Sequence, residues 1–454
     1  MTTGLKGKAA LVGLGVFIVT LLGIPARATY GAQVSADEPQ YLLTALSIAQ
    51  DGDLDIANQR YSGAYRDFHE VLLPIQTELQ PDGSRISPHN PLLPLYLAVP
   101  MRIGGWVGAK MALAALAGAL AGLLVWLGVA RFNVPFGVAA GVATVVSISP
   151  PLAMYATQVY PEIAAALMVT VAIAALTGRP VWPTAAALAA AVVALPWLAT
   201  KYVPIAAVLA VAGAWKVRYR PPLMAGLLAT LAGAGAAYLL FNQAVYGGLT
   251  PYAAGDFFVG GEFTAVGPAP NFAARTQRIL GLWVDRGFGI IAWQPAYLFA
   301  VPAIAWAARV RPPHGRLLLS LAAVGWLVAT FVAQTMHGWW WPGRQVVVIL
   351  PALVLLLMQW IGRAPHLRKP FLAIGITGIV AYLVLAVEAT VGRATLIFDF
   401  ASTSNPLYQA WSRALPDYLA PTTLTWVLHG VWLAVFAGLS AYGWQSNPDR
   451  VRSR

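Results

Sequence analysis

Apolar stretches, most of them near twenty residues long, recur from one end of the chain to the other. A helix of that length crosses a hydrocarbon core of about 30 Å with every backbone hydrogen bond made internally. The pattern therefore predicts an all-α polytopic membrane protein of about twelve transmembrane helices. The predicted spans are 9–24, 110–130, 134–153, 161–178, 181–197, 203–215, 221–241, 288–308, 317–335, 345–361, 370–387 and 423–444.

Three long polar segments separate some of these spans: 25–109, 242–287 and 388–422. In this arrangement all three segments fall on the same side of the membrane. They contain aromatic and turn-forming residues, which predicts loops folded onto the membrane surface. A further apolar stretch, 91–103, carries three prolines and is too short to span, so we interpret it as a juxtamembrane helix. We expect the whole chain, 1–454, to form a single membrane-embedded module.

Charge is distributed unevenly between the two sides of the predicted membrane. With the N-terminus inside, every acidic residue except Asp449 falls outside, whereas more than half of the 29 basic residues fall inside. This bias predicts a multi-pass protein of the cytoplasmic membrane, with both termini in the cytoplasm and the long loops outside. Lys6, Lys8 and the triplet Ala26-Arg27-Ala28 flank the first span and imitate a cleavable signal, but we expect a retained helix.

The composition excludes several classes of protein. With 59% hydrophobic and 10% charged residues and a mean hydropathy of +0.67, the chain is neither a set of soluble domains nor disordered. A net charge of +12 would favour nucleic acid in a soluble protein, but here the basic residues are topology signals, so we expect no nucleic-acid partner. The absence of cysteine excludes disulfides and thiolate chemistry.

Ionisable residues that do not set the topology cluster at the outer ends of the predicted spans. A transporter or proton pump would instead be expected to carry such residues near mid-span, along a pathway. The distribution therefore predicts a site at the outer membrane interface. The residues concerned are Asp37, Glu38, Glu162, Lys201, Arg286, His337 and Arg344.

The acidic pair Asp37-Glu38 lies about a dozen residues beyond the first span and precedes an amphipathic segment that extends to Gln50. On residue chemistry alone, the pair could be a helix N-cap and a first-turn acid that complements the helix dipole. Four further short motifs follow in order along the chain. They are Ser-Pro-His-Asn-Pro-Leu-Leu-Pro-Leu-Tyr at 87–96, Gln-Val-Tyr-Pro-Glu at 158–162, Asp-Arg-Gly-Phe-Gly at 285–289 and Trp-Trp-Trp-Pro-Gly-Arg at 339–344.

This order of features resembles the GT-C superfamily of glycosyltransferases, and the similarity covers nearly the whole chain. The superfamily includes protein O-mannosyltransferases, the aminoarabinose transferase of lipid A and mycobacterial lipid mannosyltransferases. The resemblance implies an inverting, polytopic enzyme that takes its sugar from a polyprenyl-phosphate donor, with Asp37 as general base and Glu38 as its neighbour. Mannose is our first expectation for the sugar, before arabinofuranose, aminoarabinose and glucose. The acceptor would be a hydroxyl of a lipid glycan, a cell-wall polysaccharide or a protein.

Glycosyl transfer from such a donor needs a base for the acceptor hydroxyl and cations for the departing phosphate. The predicted donor-phosphate ligands are Arg344, Arg286, Lys201 and His89. The predicted acceptor or sugar ligands are Glu162, Tyr160, His337, Trp340 and Trp341.

Structural alternatives remain for several of these residues. Arg286 could pair with Asp285, Lys201 could anchor a helix end, and His89 could be a hydrogen-bonded cap. Glu162 could complement a helix dipole, and the tryptophans could belong to the interfacial aromatic belt.

We predict no metal or other cofactor, although Asp37, Glu38 and Glu162 could in principle hold a divalent ion. The expected partners are the lipid-linked donor, a glycolipid or glycan acceptor, and membrane lipids. The alternative functions are a lipid or solute transporter, a ligase or polymerase that uses a polyprenyl-diphosphate glycan, and a non-catalytic scaffold. The sequence does not decide between Asp37 and Glu38 as the base, because the two residues are adjacent.

Overall fold

The computed structural model describes residues 2–77, 79–80, 82–258 and 260–446. Within that part the chain is helical, and β-structure is limited to isolated bridges such as the one between Asp55 and Ile86. The predicted all-α class is therefore confirmed. Of the residues used to predict the topology, those that lie outside the described part are Glu78, Asp449, Arg450, Arg452 and Arg454.

Every predicted span corresponds to a helix or to a series of helical pieces. Among the described residues, the helices of at least 11 residues are α1 (Thr2–Thr20), α2 (Glu38–Gln50), α3 (Leu92–Ala130), α4 (Phe136–Ser147), α5 (Glu162–Thr177), α6 (Trp182–Leu198), α7 (Val203–Val217), α8 (Pro221–Tyr246), α9 (Ala300–Val310), α10 (Gly315–Leu327), α11 (Leu350–Arg363), α12 (Arg368–Thr390) and α13 (Thr423–Gln445).

Membrane-crossing length separates these helices into two groups. In the described part of the chain, seven helical segments are long and apolar enough to cross a membrane, judged by length and composition, and four others are apolar but shorter. Helices α2 and α7 are in neither group. The count of twelve spans stays a prediction. The prediction of several helices that are long and apolar enough to cross a membrane is confirmed.

Helix α3 unites two elements that the sequence predicts separately. Its backbone leaves helical geometry at Gly104 and Gly105, and Gly105 has a φ of 57° and a ψ of −152°, a conformation that glycine adopts far more readily than other residues. The kink falls directly after the predicted juxtamembrane stretch 91–103 and before the predicted span 110–130. The glycine pair thus lets one long helix change direction between a surface segment and a membrane segment.

The predicted span 288–308 is broken into three helical pieces: Ile290–Trp293, Pro295–Phe299 and α9. Pro295 lacks a backbone N–H, and Gln294 before it has an extended φ of −137°. The buried Gln294 amide donates to Ser149 Oγ at 2.7 Å and to the Gly375 carbonyl at 3.1 Å. A side chain thus ties the break to neighbouring helices, as broken membrane helices require.

The first helix packs closely on α3. A Cβ added at Gly13 would lie 2.5 Å from the Gly118 carbonyl oxygen, so the backbones approach as only small residues permit. Helix α2 also packs on α3, while the segment Arg344–Ile349 packs on α5. These contacts place the segment after α1, the start of α2 and the start of α5 at one end of the bundle.

Candidate active site

Arg344 joins three segments that are far apart in the sequence. Its Nη2 donates to Asp37 Oδ2 at 3.0 Å, and its Nε donates to Glu162 Oε1 at 3.0 Å. Only 9% of its side chain is exposed, so both bonds form in a largely dehydrated setting. Gly343, with a φ of 82°, makes the turn that delivers Arg344 to this position. The structure therefore brings the predicted acid of the first loop together with a predicted phosphate ligand.

Lys201 adds a second cation to the same group. Its Nζ lies 2.9 Å from Glu162 Oε1 and 3.4 Å from Gln345 Oε1. Glu162 is fully buried, and its second oxygen has no hydrogen-bond partner in the part of the chain that the structure describes. One carboxylate, at the first residue of α5, thus holds two cations side by side.

Aromatic rings enclose the Arg344 guanidinium. Its centre lies 3.9 Å from the ring centroid of Tyr160 and 5.0 Å from that of Trp340. Cations over aromatic faces gain electrostatic attraction, most of all where water is excluded. Two of the predicted sugar or acceptor ligands therefore form the walls around the guanidinium.

Asp37 is the most accessible carboxylate of the cluster, with 28% of its side chain exposed. His89 Nε2 lies 3.8 Å from Asp37 Oδ1, and His89 Nδ1 makes a 2.8 Å hydrogen bond with Ser87. Burial opposes the charged form, but the Arg344 guanidinium and His89 outweigh it and hold the pKa of Asp37 well below its usual range. Asp37 is therefore an ionised carboxylate near neutral pH, with part of its side chain accessible.

Glu38 has a different environment from its neighbour. The Ser35 N–H donates to its Oε1 at 3.1 Å, and the Val159 N–H donates to its Oε2 at 2.7 Å. The side chain is buried, and this burial raises the pKa of Glu38 to about 7. Glu38 thus ties the start of α2 to the segment before α5, whereas Asp37 faces the accessible side.

Lys110 is a charged residue of this region that the sequence analysis missed. It lies in α3, is buried, and donates from Nζ to the Gln33 carbonyl at 2.9 Å. Its positive charge favours the ionised form of Glu38. The available signal was a lone lysine in an apolar run that holds no other charge between Arg102 and Arg131.

Arg286 and His337 belong to a second cluster, formed around the buried carboxylate of Asp285. Asp285 accepts backbone N–H bonds from Gly287, Phe288 and Tyr418, and its Oδ2 lies 3.4 Å from His337 Nε2. Arg286 does not pair with its neighbour Asp285; it lies 3.5 Å from Asp417 and donates to the carbonyls of 412 and 415. Among the described residues, neither side chain contacts the group around Arg344.

Trp341 separates the two clusters. It is fully buried, packs on Trp293 and Phe400 at ring-centroid distances of 4.9 and 5.2 Å, and accepts a hydrogen bond at its carbonyl from Tyr155. The predicted ligands at 337–344 are thus divided between two sides of one loop. The structure gathers Asp37, His89, Tyr160, Glu162, Lys201, Trp340 and Arg344, with Glu38 beneath them.

Metal ligands are not clustered in the described ranges, where no group of three or more histidine, cysteine or acidic side chains could hold an ion. The predicted independence from metal nevertheless stays a prediction. The site as described is a cluster of two cations, two carboxylates and a histidine. Such a set can bind a phosphate and remove a proton from a hydroxyl.

Comparison with known structures bears on the fold. The crystal structure of ArnT from Cupriavidus metallidurans bound to undecaprenyl phosphate matches 98% of this chain and 78% of that chain, with a TM-score of 0.51 and 14% sequence identity. Comparisons with protein-family models and with curated proteins gave no match. The chain therefore has a fold like that of ArnT.

Proposed function

We propose that this protein is an integral membrane glycosyltransferase that moves a sugar from a polyprenyl-phosphate donor to an acceptor hydroxyl at the outer face of the membrane. The observation that carries the proposal is the accessible Asp37 carboxylate held 3.0 Å from Arg344. A second cation, Lys201, lies in the same cluster. The ArnT-like fold supports it, since the matching crystal structure contains undecaprenyl phosphate.

The reaction assigns a different task to each charge. Asp37 accepts the proton of the acceptor hydroxyl, whose oxygen attacks the anomeric carbon of the sugar. The bond between that carbon and the phosphate oxygen breaks, and its electron pair leaves with polyprenyl phosphate. Arg344, Lys201 and His89 stabilise the growing negative charge on the phosphate. Attack from the face opposite the phosphate inverts the anomeric configuration.

Donor binding would also prepare the base. In the structure, Arg344 is shared between the carboxylates of Asp37 and Glu162. A donor phosphate that attracts the guanidinium weakens its hold on Asp37, and the pKa of that carboxyl rises towards a value useful for proton transfer. The base would then gain strength only when a donor is present.

The remaining predicted ligands are assigned by position. Tyr160, Trp340 and Glu162 surround Arg344; the partly exposed Trp340 would contact the transferred sugar, and the buried Tyr160 and Glu162 would position the guanidinium beside it. Mannose is the sugar we favour, with another hexose or a pentose as the alternative, and the acceptor is a lipid-linked, polysaccharide or protein hydroxyl. The enzyme would need no metal, and membrane lipids would surround its spans.

The test is product formation by purified protein in lipid. Polyprenyl-phosphate mannose and the arabinose counterpart are offered with a membrane glycolipid extract, and release of polyprenyl phosphate is measured. We expect Asp37→Asn to reduce transfer by a factor of about 10² to 10⁴, while Asp67→Asn, an exposed acid of the same loop, leaves it unchanged. No release of polyprenyl monophosphate by wild type, or normal transfer by Asp37→Asn, would overturn the proposal and favour a transporter or a diphosphate-glycan ligase.

A further inference from the structure

A cavity opens at the Asp285 cluster, on the other side of Trp341 from Arg344. Its volume is about 500 Å³, within the range of small-molecule sites, about 300–1,000 Å³. The walls come from three segments that the fold brings together: 285–288, 337–339 and 397–401, with Tyr408, Asp417 and Leu419 completing the lining. The cavity therefore combines the ends of all the late outer segments.

The lining carries aromatic faces beside paired charges. Trp339 and Phe398 are 60% and 52% exposed and stand edge to face at 4.7 Å, so their rings remain available to a ligand. Arg286 lies 3.5 Å from Asp417, and two of its five N–H groups have no partner among the described residues. Sugars present C–H faces to aromatic rings and hydroxyl groups to carboxylates and guanidinium groups, so this lining fits a carbohydrate.

Other ligand classes fit the cavity less well. A prenyl or acyl chain would remove water from Arg286, Asp417 and His337 without replacing their hydrogen bonds. A free phosphate would meet two carboxylates, Asp285 and Asp417, and Asp417 already pairs with Arg286. A neutral, hydroxyl-rich ligand avoids both costs.

The cavity and the Asp37 site share one wall. Trp339 lines the cavity, and its carbonyl accepts a 3.2 Å hydrogen bond from Ser35 Oγ, two residues before Asp37. The next residue, Trp340, faces the Arg344 guanidinium. A chain of sugars seated in the cavity could therefore extend past Trp339 towards the base.

We propose that this cavity binds sugar residues of the acceptor, so that the acceptor is a glycan rather than a protein hydroxyl. The assignment of these sugars to an acceptor rests on the proposed glycosyltransferase function, whereas carbohydrate binding by the cavity does not. Trp339 and Phe398 are the binding platform, and Arg286 and Asp417 supply the polar contacts. The cavity sets which glycan is extended.

The experiment measures binding and transfer separately. Wild type, Trp339→Ala, Trp339→Phe and Phe398→Ala are titrated in nanodiscs with trisaccharides of mannose, arabinofuranose and glucose, with a serine peptide as the comparison. Phe263→Ala is the matched control, because Phe263 is an exposed ring in another outer loop. Loss of the stacking surface should weaken trisaccharide binding and raise the acceptor KM about fivefold or more in the alanine variants. Trp339→Phe should retain most binding, and the donor KM and the Phe263→Ala values should stay within twofold of wild type.

The outcomes distinguish this proposal from the proposed function. Trisaccharide binding that depends on Trp339, in a protein that transfers no sugar, would support the cavity and contradict the glycosyltransferase. Sugar transfer by a wild type that binds none of the trisaccharides, or binds them equally after Trp339→Ala, would overturn the cavity. An equal rise in donor and acceptor KM in the alanine variants would also overturn it, since that result indicates a general structural role.

Discussion

Replacing Arg344 with methionine should destabilise the protein much more than the same replacement of a more exposed arginine whose ion pair has the same length. Arg344 makes two 3.0 Å ion pairs while only 9% of its side chain is exposed. Removing one partner of a buried pair typically costs about 3–5 kcal/mol, because the other charge stays buried without compensation. Glu162 keeps Lys201 at 2.9 Å, and Asp37 keeps His89 at 3.8 Å, so we expect the lower end, about 3 kcal/mol.

The assay is reversible unfolding in mixed micelles, followed by tryptophan fluorescence. Arg27→Met is the control, because Arg27 also makes a 3.0 Å ion pair, with Glu70, but is 33% exposed, and exposed pairs contribute about 0–1 kcal/mol. The double variant Arg344→Met with Glu162→Gln should cost about 1–3 kcal/mol less than the sum of the two single changes, because both remove the same ion pair. A cost for Arg344→Met no greater than for Arg27→Met, or strictly additive effects in the double variant, would refute the reasoning.

Three further predictions use other features of the structure. Burial raises the pKa of Glu38 to about 7, so its neutral form is favoured in the folded protein, and its contribution to stability is lost as the pH rises from 5 to 8. The melting temperature of wild type should therefore fall between pH 5 and 8, and Glu38→Gln should reduce that fall. An unchanged dependence of melting temperature on pH would assign the titration to another group. Gly13→Ala should destabilise the protein by about 1–3 kcal/mol, through a clash with Gly118, in the same unfolding assay. Gly15→Ala, where a Cβ meets nothing within 4 Å, should not. Transfer should survive dialysis against EDTA, and activity that returns only with an added divalent ion would contradict metal independence.

Periodicity and turn residues in the sequence predict most of the helices, because a lipid solvent forces every backbone bond to close within a helix. The exceptions are one broken helix and one kinked helix. Gln294 makes the break before Pro295 possible, and the sequence does not show that its amide reaches other helices. Likewise, the glycine pair at 104–105 unites two predicted elements into one kinked helix.

For the site, sequence position indicates which end of the bundle a residue occupies but not which side. Asp37, Glu162 and Arg344 were predicted at one end, and the structure brings them together. Arg286 and His337 share that end in the prediction but surround Asp285 instead. Helix order around a bundle depends on packing between distant segments, which single-sequence patterns do not encode.

The bond between Asp37 and Arg344 connects residues 307 positions apart in the chain. During synthesis the N-terminal part enters the membrane first, at about 5–20 residues per second. Asp37 and Glu162 are therefore synthesised well before Arg344, and their ion pairs with it can form only after three-quarters of the protein has been made. Until then the proposed donor-phosphate ligands are not all present, so a truncated nascent chain would lack the proposed donor site. Closure of this ion pair thus also marks the point at which the early and late helices have assembled correctly.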